Sequence, residues 1–320
     1  VIDAYASLPH YWTHLAPIVE ELRTRDVHVR TWAARPGDPW GAPIRTRPRH
    51  DPTVVLVAAY VDARAFRAAP VIYVEHGAGQ SYRDDVGAPG WPGARGLDHV
   101  RLFVCPGDHV AGAWRAQYPQ AAVETVGSPH VDSLLAIRQE PEPATVALSF
   151  RWNCQLCPEA RSAFDHYDRA LPDIIDRLRD TYRVVGHGHP RVWPRLRKRW
   201  EALGVEPVRD FGQIWQRAAI FVADNTSALY EFAASGRPVI CMNAPWYRRD
   251  VDHGLRFWSH VPGVQVDDAS GIPDAVKRAR AGEGEALRAR AVAHVYAHRD
   301  GTAASRAADA IQEATDAHVP

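Results

Sequence analysis

Lysine is nearly absent from this 320-residue chain, methionine occurs once and cysteine four times. Lys198 and Lys277 are its only lysines, so almost all positive charge is arginine; high-GC coding accounts for that bias without appeal to function. Lys+Arg 38 against Asp+Glu 38 leaves no net charge, which removes the overall electrostatic drive for non-specific nucleic-acid binding. No apolar run approaches the roughly 20 residues that a membrane-spanning helix needs, and any membrane contact is expected to be peripheral. Cys105, Cys154, Cys157 and Cys241, with no signal peptide ahead of them, fit a reducing compartment where thiols stay free, and we expect the cytoplasm. The chain opens at Val1, inside what reads as a first strand, which leads us to expect further residues ahead of it.

What remains is an ordinary globular composition, 46% apolar, on a length that suits two domains with a core each. Strand and helix patterns alternate. Val1–Ala6, Val27–Ala33, Thr53–Ala59, Val71–Glu75, Leu102–Cys105 and Ala122–Val126 read as strands, with a helix from Tyr11 to Thr24. The Pro/Gly-rich intervals Arg35–Pro52 and Gly87–Gly96 read as loops able to cover a site. Gln139–Ala144, QEPEPA, reads as a linker. Alternation then restarts with strands Val146–Phe150 and Arg183–Gly186, helices Ala160–Thr181 and Trp193–Leu203, a short strand Val264–Val266 and helices Ile272–Tyr296 and Thr302–Ala317. The expected architecture is α/β, two Rossmann-like domains with parallel sheets facing a central cleft. The domains are expected over 1–140 and 141–298, with a C-terminal helix in 299–320 packing back on the first.

The stretch Ala219–Asn243, AIFVADNTSALYEFAASGRPVICMN, is the most telling. It reads as a buried strand, a polar turn, a short helix and a second buried strand, with Asp224, Asn225 and Thr226 able to cap the helix that starts near Ser227. A helix start at the carboxyl end of a parallel strand favours a phosphate, because its first N–H groups are unpaired and its dipole is positive there. Glu231, one helical turn after Ser227, suits a ribose diol or plain solvent. Arg248 and Arg249 follow the next strand and could reach a phosphate or pair with neighbouring acids such as Asp250 and Asp252.

Two histidines stand at strand ends. His76 follows VIYVE and precedes Gly77, which is how a general base would be placed; closing a turn is the plain alternative. His189, ahead of Pro190, is presented outward in a loop, two residues after His187. No companion ligands at recognisable spacing support a metal there, and no metal-binding DxD stands out, so no metal is expected. Cys154 and Cys157 form a lone CxxC, better read as small, partly buried residues. Pro190–Trp200 mixes tryptophan with arginine and reads as a surface helix with its tryptophans inward.

The order of these pieces resembles the CDP-glycerol glycerophosphotransferase family of teichoic-acid polymerases and primases, which has a GT-B architecture. His76-Gly77 is similar to that family's first histidine motif, Gly127-Ser128-Pro129-His130-Val131-Asp132 to its G-x-P-R-x-D element and His189-Pro190 to its HP motif. Asp224-Asn225-Thr226-Ser227 is similar to its D-Y-S-S turn, Arg237-Pro238-Val239-Ile240 to its R-P-I/V-I entry, and Asp300-Gly301 with Ala304-Ser305 to its DGxxS segment. The chain departs from the pattern in HGAGQSY, which lacks the usual basic residue, in DNTS in place of DYSS, at His130 in place of arginine, and in Ser149-Phe150-Arg151-Trp152, a loose echo of T-W-R.

The resemblance implies a metal-independent transferase without a cofactor. It would move a glycosyl or glycerophosphate group from a nucleotide-diphosphate donor such as CDP-glycerol to a hydroxyl-bearing acceptor, a polymer included. His76 would take the acceptor proton and His189 would offset charge on the departing nucleotide. Asp224, Asn225, Thr226, Ser227, Glu231, Arg248 and Arg249 would hold the donor. One fold hosts many donors, so two alternatives stay open: a UDP-sugar glycosyltransferase acting on a glycan or modified nucleic acid, and a non-catalytic nucleotide-binding protein.

Overall fold

Each alternation of strand and helix becomes one six-stranded, wholly parallel sheet. The computed structural model describes residues 1–33, 54–78, 96–155, 158–249 and 258–316. The expected covering loops, Arg35–Pro52 and nearly all of Gly87–Gly96, lie outside the described residues.

Two compact units divide the described residues: one holds those up to 136 and from 294 onward, the other those of 137–293. In the first, β1 (Ile2–Ala6), β2 (Val29–Ala33), β3 (Val54–Val57), β4 (Val71–Val74), β5 (Val100–Cys105) and β6 (Ala122–Thr125) lie in the order β2-β1-β3-β4-β5-β6. The helices are α1 (Pro9–Thr24), α2 (Tyr60–Ala65), α3 (Asp108–Gln117) and α4 (Pro129–Leu135). β3 and β4 are apolar at every position and buried at every position, as strands covered on both faces must be. Helix α1 begins with Pro9 in its first turn and buries Leu15, Ile18, Val19 and Leu22 along one stripe.

In the second unit β7 (Glu142–Phe150), β8 (Arg183–Gly188), β9 (Glu206–Pro207), β10 (Ala218–Ala223), β11 (Val239–Met242) and β12 (Val264–Val266) lie in the order β12-β11-β10-β7-β8-β9. That is the doubly wound dinucleotide-fold order, starting at β7 and reversing between β7 and β10. Its helices are α5 (Phe164–Tyr167), α6 (Leu171–Arg179), α7 (Trp193–Ala202), α8 (Phe211–Arg217), α9 (Ala228–Ala233), α10 (Ile272–Arg280) and α11 (Glu285–Val295). In α7, Leu196 and Trp200 are buried, while Arg195 and Arg197 pair with Asp165 and Glu201 at the surface; the inward-tryptophan reading of Pro190–Trp200 holds for Trp200.

The chain then returns to the first unit as α12 (Ala303–Asp316), whose Ala307, Ala308 and Ile311 join the core that α1 fills with Leu15, Ile18 and Leu22. Arg25, just past α1, donates to Asp309, Gln312 and the Ser305 carbonyl. Asp132 Oδ2 accepts from Ala303 N at 3.0 Å, satisfying a donor at the start of α12.

Three expectations need correction. The segment Gln139–Ala144 is not all linker, because β7 starts at Glu142, and Glu142 ties strands together by accepting from Arg183 and Arg217. The helix expected over Ala160–Thr181 is broken into α5 and α6 by a tight 3-10 turn at Asp168–Ala170, with Pro172 in the first turn of α6. The stretch Ile272–Tyr296 also splits, at Gly282 and Gly284, both with positive φ of 104 and 84 degrees.

A small residue is required at Gly186: a Cβ there would lie 2.4 Å from the ring of Trp200, which is fully buried. Gly186→Ala is expected to cost about 1–3 kcal/mol of stability by overpacking, read as a lower urea midpoint with an unchanged slope.

Candidate functional site

Ligands of open α/β sheets bind beyond the carboxyl ends of the strands that flank a reversal of strand order. In the first unit those strands are β1 and β3, and in the second β7 and β10. Asp224 and its donors lie in the loops after β10 and β7, while His76 and His189 follow the neighbouring strands β4 and β8.

In the first unit, His76 leaves β4 and is followed by Gly77, whose φ of 77 degrees turns the chain. Its imidazole donates to the Ala58 carbonyl, in the loop after β3, while its Nδ1 is buried without a hydrogen-bond partner. The donating nitrogen is therefore Nε2, and Nδ1 holds a lone pair. Burial lowers the ring's pKa to about 4, so it is neutral at physiological pH.

Around His76 stand Tyr11 (ring centroids 4.9 Å), Tyr60 (6.2 Å) and His14 (6.0 Å), and His14 in turn lies 4.7 Å from His130. His14 is held well below its ordinary value, first by burial and then by His130, His76 and His10; burial lowers His130 to about 4. Sequence reasoning missed His10 and His14, though their spacing of four on one helix face was a readable signal. His130 is placed by its motif: Gly127 turns with φ 91 degrees, Ser128 Oγ caps α4 by accepting from Val131 N, and Pro129 opens the helix. Behind the β1 loop, buried Asp62 accepts from Ser7 N at 3.0 Å and fixes its path.

In the second unit, the organising group is Asp224, at 0% exposure. Its Oδ1 accepts from Arg151 N at 2.8 Å, and its Oδ2 from Ser162 Oγ at 3.0 Å and Ala163 N at 2.9 Å. The turn after β10 thereby holds both ends of the loop after β7. This corrects the expectation that Asp224 and Asn225 cap the following helix: α9 starts without a side-chain cap bond. Asn225, also at 0% exposure, donates to the Glu159 carbonyl at 2.8 Å and receives Arg151 Nη1 on its own carbonyl at 2.9 Å. Thr226 and Ser227 are half-buried at the surface side of the turn.

Arg248 is tied inward rather than left available: its Nε and Nη2 donate to Glu159 at 2.6 and 2.8 Å, and its backbone N–H at 2.9 Å. Burial alone would raise the Glu159 carboxyl, and the Arg248 bonds outweigh it and hold it below its ordinary value. Arg249 is exposed and pairs with Asp267. Glu231 is buried, 7% exposed, and that burial pushes its carboxyl up to about 7. Asp250 and Asp252 lie outside the described residues.

His189 is half-buried at the end of β8, where its Nδ1 accepts from Arg191 N at 3.2 Å; the neutral ring then carries its hydrogen on Nε2. Trp152 lies 6.1 Å from it and carries the Arg191 guanidinium 4.6 Å above its ring. His187 points into the fold instead, bonded through Nδ1 to Ser149 Oγ at 2.7 Å across paired strands, with burial lowering it to about 4. Arg237, from the R-P-V-I element, donates to the Trp215 and Ala218 carbonyls and closes the end of α8. Cys154 is buried with a free thiol; Cys157 lies outside the described residues.

Comparison with known proteins follows this geometry. Residues 161–313 match the family model described as CDP-Glycerol:Poly(glycerophosphate) glycerophosphotransferase. Comparison with curated proteins found no significant match. Among solved structures, the wall teichoic acid polymerase TagF superposes with a TM-score of 0.70 at 11% identity, covering 100% of this chain and 90% of that chain. A histidine variant of TagF soaked with CDPG gives 0.68 at 10% identity, covering 98% and 88%. A crystal structure described as a UDP-N-acetylglucosamine 2-epimerase from Listeria monocytogenes gives 0.64 at 13% identity, covering 98% and 95%.

Replacing Asp224 by Ala leaves three buried donors unmatched and is expected to lower stability by about 3 kcal/mol or more, whereas Ser227→Ala stays within about 0.5 kcal/mol; urea unfolding followed by circular dichroism measures both. The chain has the GT-B fold, and its residues 161–313 carry the sequence pattern of the CDP-glycerol glycerophosphotransferase family, which makes it similar to GT-B-type transferases that use a nucleotide-activated donor.

Proposed function

We propose that this protein transfers a glycerophosphate group from a nucleotide-diphosphate donor such as CDP-glycerol to an acceptor hydroxyl. The observation that carries the reading is the His76 imidazole: neutral, oriented by its bond to Ala58, and with a buried Nδ1 that has no partner of its own. Such a nitrogen is fitted to accept a proton.

In the reaction, the acceptor oxygen attacks the donor's β-phosphorus as its proton passes to His76 Nδ1. The bond from that phosphorus to the bridging oxygen breaks, and the nucleoside monophosphate leaves with the electron pair. His189 would offset the charge developing on it. Thr226 and Ser227 would hold the diphosphate, Arg249 would add a charge-assisted bond, and Glu231 would accept from the ribose hydroxyls. Asp224, Asn225 and Arg248 would act one layer back, keeping the turn and the loop after β7 in shape. The reading needs no metal ion and no cofactor, so a chelator should leave turnover unchanged. A polymer bearing hydroxyls at its end would serve as acceptor. Buried Cys105, Cys154 and Cys241, in no disulfide among the described residues, support a cytoplasmic placement; no helix among the described residues is long and apolar enough to cross a membrane, so membrane contact would be peripheral.

His76→Ala is expected to lower kcat by about 100-fold or more while donor affinity, read by calorimetry, changes less than about threefold; full activity of this variant would reject the base. Because a base must be unprotonated and this one titrates near 4, kcat/KM should stay level through neutral pH and fall only as the pH drops towards that value. A thermal-shift panel of donors decides the nucleotide: stabilisation by UDP-sugars and not CDP-glycerol would redirect the reading to a glycosyltransferase, and binding without turnover of any donor to a non-catalytic protein.

A further inference from the structure

Glu75 immediately precedes His76 but faces the other way, into the first unit, where it is 7% exposed. Its Oε2 accepts from Trp114 Nε1 at 2.9 Å, its Oε1 lies 3.5 Å from the Tyr73 hydroxyl, and the Tyr60 hydroxyl also bonds to it. Its backbone N–H is fixed to the Val104 carbonyl at 2.9 Å. Among the described residues, every group facing the carboxyl is uncharged at neutral pH: Tyr73 on β4, Tyr60 on α2, Trp114 on α3 and the Cys105 thiol on β5, with Tyr11 of α1 reaching Tyr73. Arg115 and Glu124 act on Cys105 and are not among the groups bonded to Glu75. A buried carboxylate with no cation beside it is strongly disfavoured, and a protonated acid is not.

Tyr60 links this box to the base. Its ring stacks on Tyr73 at 5.3 Å, packs against Trp114 at 6.0 Å and borders His76 at 6.2 Å. We propose that Glu75 works as a neutral carboxylic acid, hydrogen-bonded among Tyr60, Tyr73 and Trp114, and that it is a positioning residue that holds the Tyr60 ring against His76. This rests on the reading of His76 as the base, but its own geometry is independent of any donor.

The carboxyl is raised from the ordinary 4.5 to about 8, by burial first, with the Trp114, Tyr73 and Tyr60 bonds opposing. A group raised on folding contributes stability that is complete below its unfolded value and is lost as pH rises through the folded one. Glu75→Gln mimics the neutral acid and removes the titration. The melting temperature of the wild type, relative to Glu75→Gln, is therefore expected to fall from about pH 5 to about pH 8 and level off above. A difference that stays constant across this range means that the folded carboxyl is ionised and overturns the proposal.

Positioning is read by NMR titration of His76 in the same proteins. In Glu75→Asp, whose arm is one methylene shorter, the His76 pKa should move from about 4 towards the ordinary 6.5, and in Glu75→Gln it should remain low. Equal values in all three proteins, or an equal rise in both variants, overturn it. Where turnover is measurable, Glu75→Asp should lose about tenfold in kcat with KM within about twofold, and Glu75→Gln should recover it. A wild type that turns over no donor would defeat the transferase reading alone, since the melting and NMR measurements decide Glu75 without it.

Discussion

The carboxylate of Asp224 is the bond on which the second unit's polar end depends. Three donors from two ends of one loop converge on it, so the turn after β10 and the loop after β7 behave as one piece. Glu159 extends the arrangement, binding Arg248 on one side while its carbonyl receives Asn225 on the other. None of these groups needs a ligand to be satisfied. They leave Thr226 and Ser227 as the half-buried face of a turn whose shape is already set, which is the preorganisation a binding site for charged groups requires.

The first unit solves the same problem with a smaller device. At its own reversal of strand order, Asp62 takes the Ser7 N–H, and the Ala58 carbonyl takes the His76 ring. In both units a buried aspartate ties a strand-end loop to a neighbouring element, because a backbone N–H that leaves a parallel sheet loses its ladder partner and must find another. What distinguishes the first unit is its set of neutral titratable groups: His14, His76 and His130 pushed down, and Glu75 pushed up, all by burial first. Imidazoles kept uncharged at neutral pH retain a lone pair on one ring nitrogen, which is the chemical basis for placing the base here.

The TagF likeness fits this division but shows only the fold at 11% identity. The family match lies mostly in the second unit, where the loop and turn described above belong. The departures read from the sequence fall in both units: at the His76 motif and His130 in the first, and at Ser149-Phe150-Arg151-Trp152 and within Asp224-Asn225-Thr226-Ser227 in the second.

The parallel α/β architecture was legible in the sequence because apolar runs such as Val54–Val57 and Ile220–Ala223 are short, continuous, rich in β-branched residues and bounded by loop residues, a pattern that suits a doubly covered strand. The strand-end placement of His76, His189 and the DNTS turn followed from the same runs. Strand order did not, since parallel strands carry no local signal of their neighbours; nor did the partners of Asp224, whose donors lie 61 to 73 positions away. A carboxylate written next to a helix start looks like a cap until another loop is folded beside it. Glu75 and His76 show the limit most plainly: they are adjacent in the chain, yet only the packing of α2 and α3 decides that Glu75 meets Tyr60 and Trp114, where burial drives its carboxyl up, while burial drives the neighbouring imidazole down.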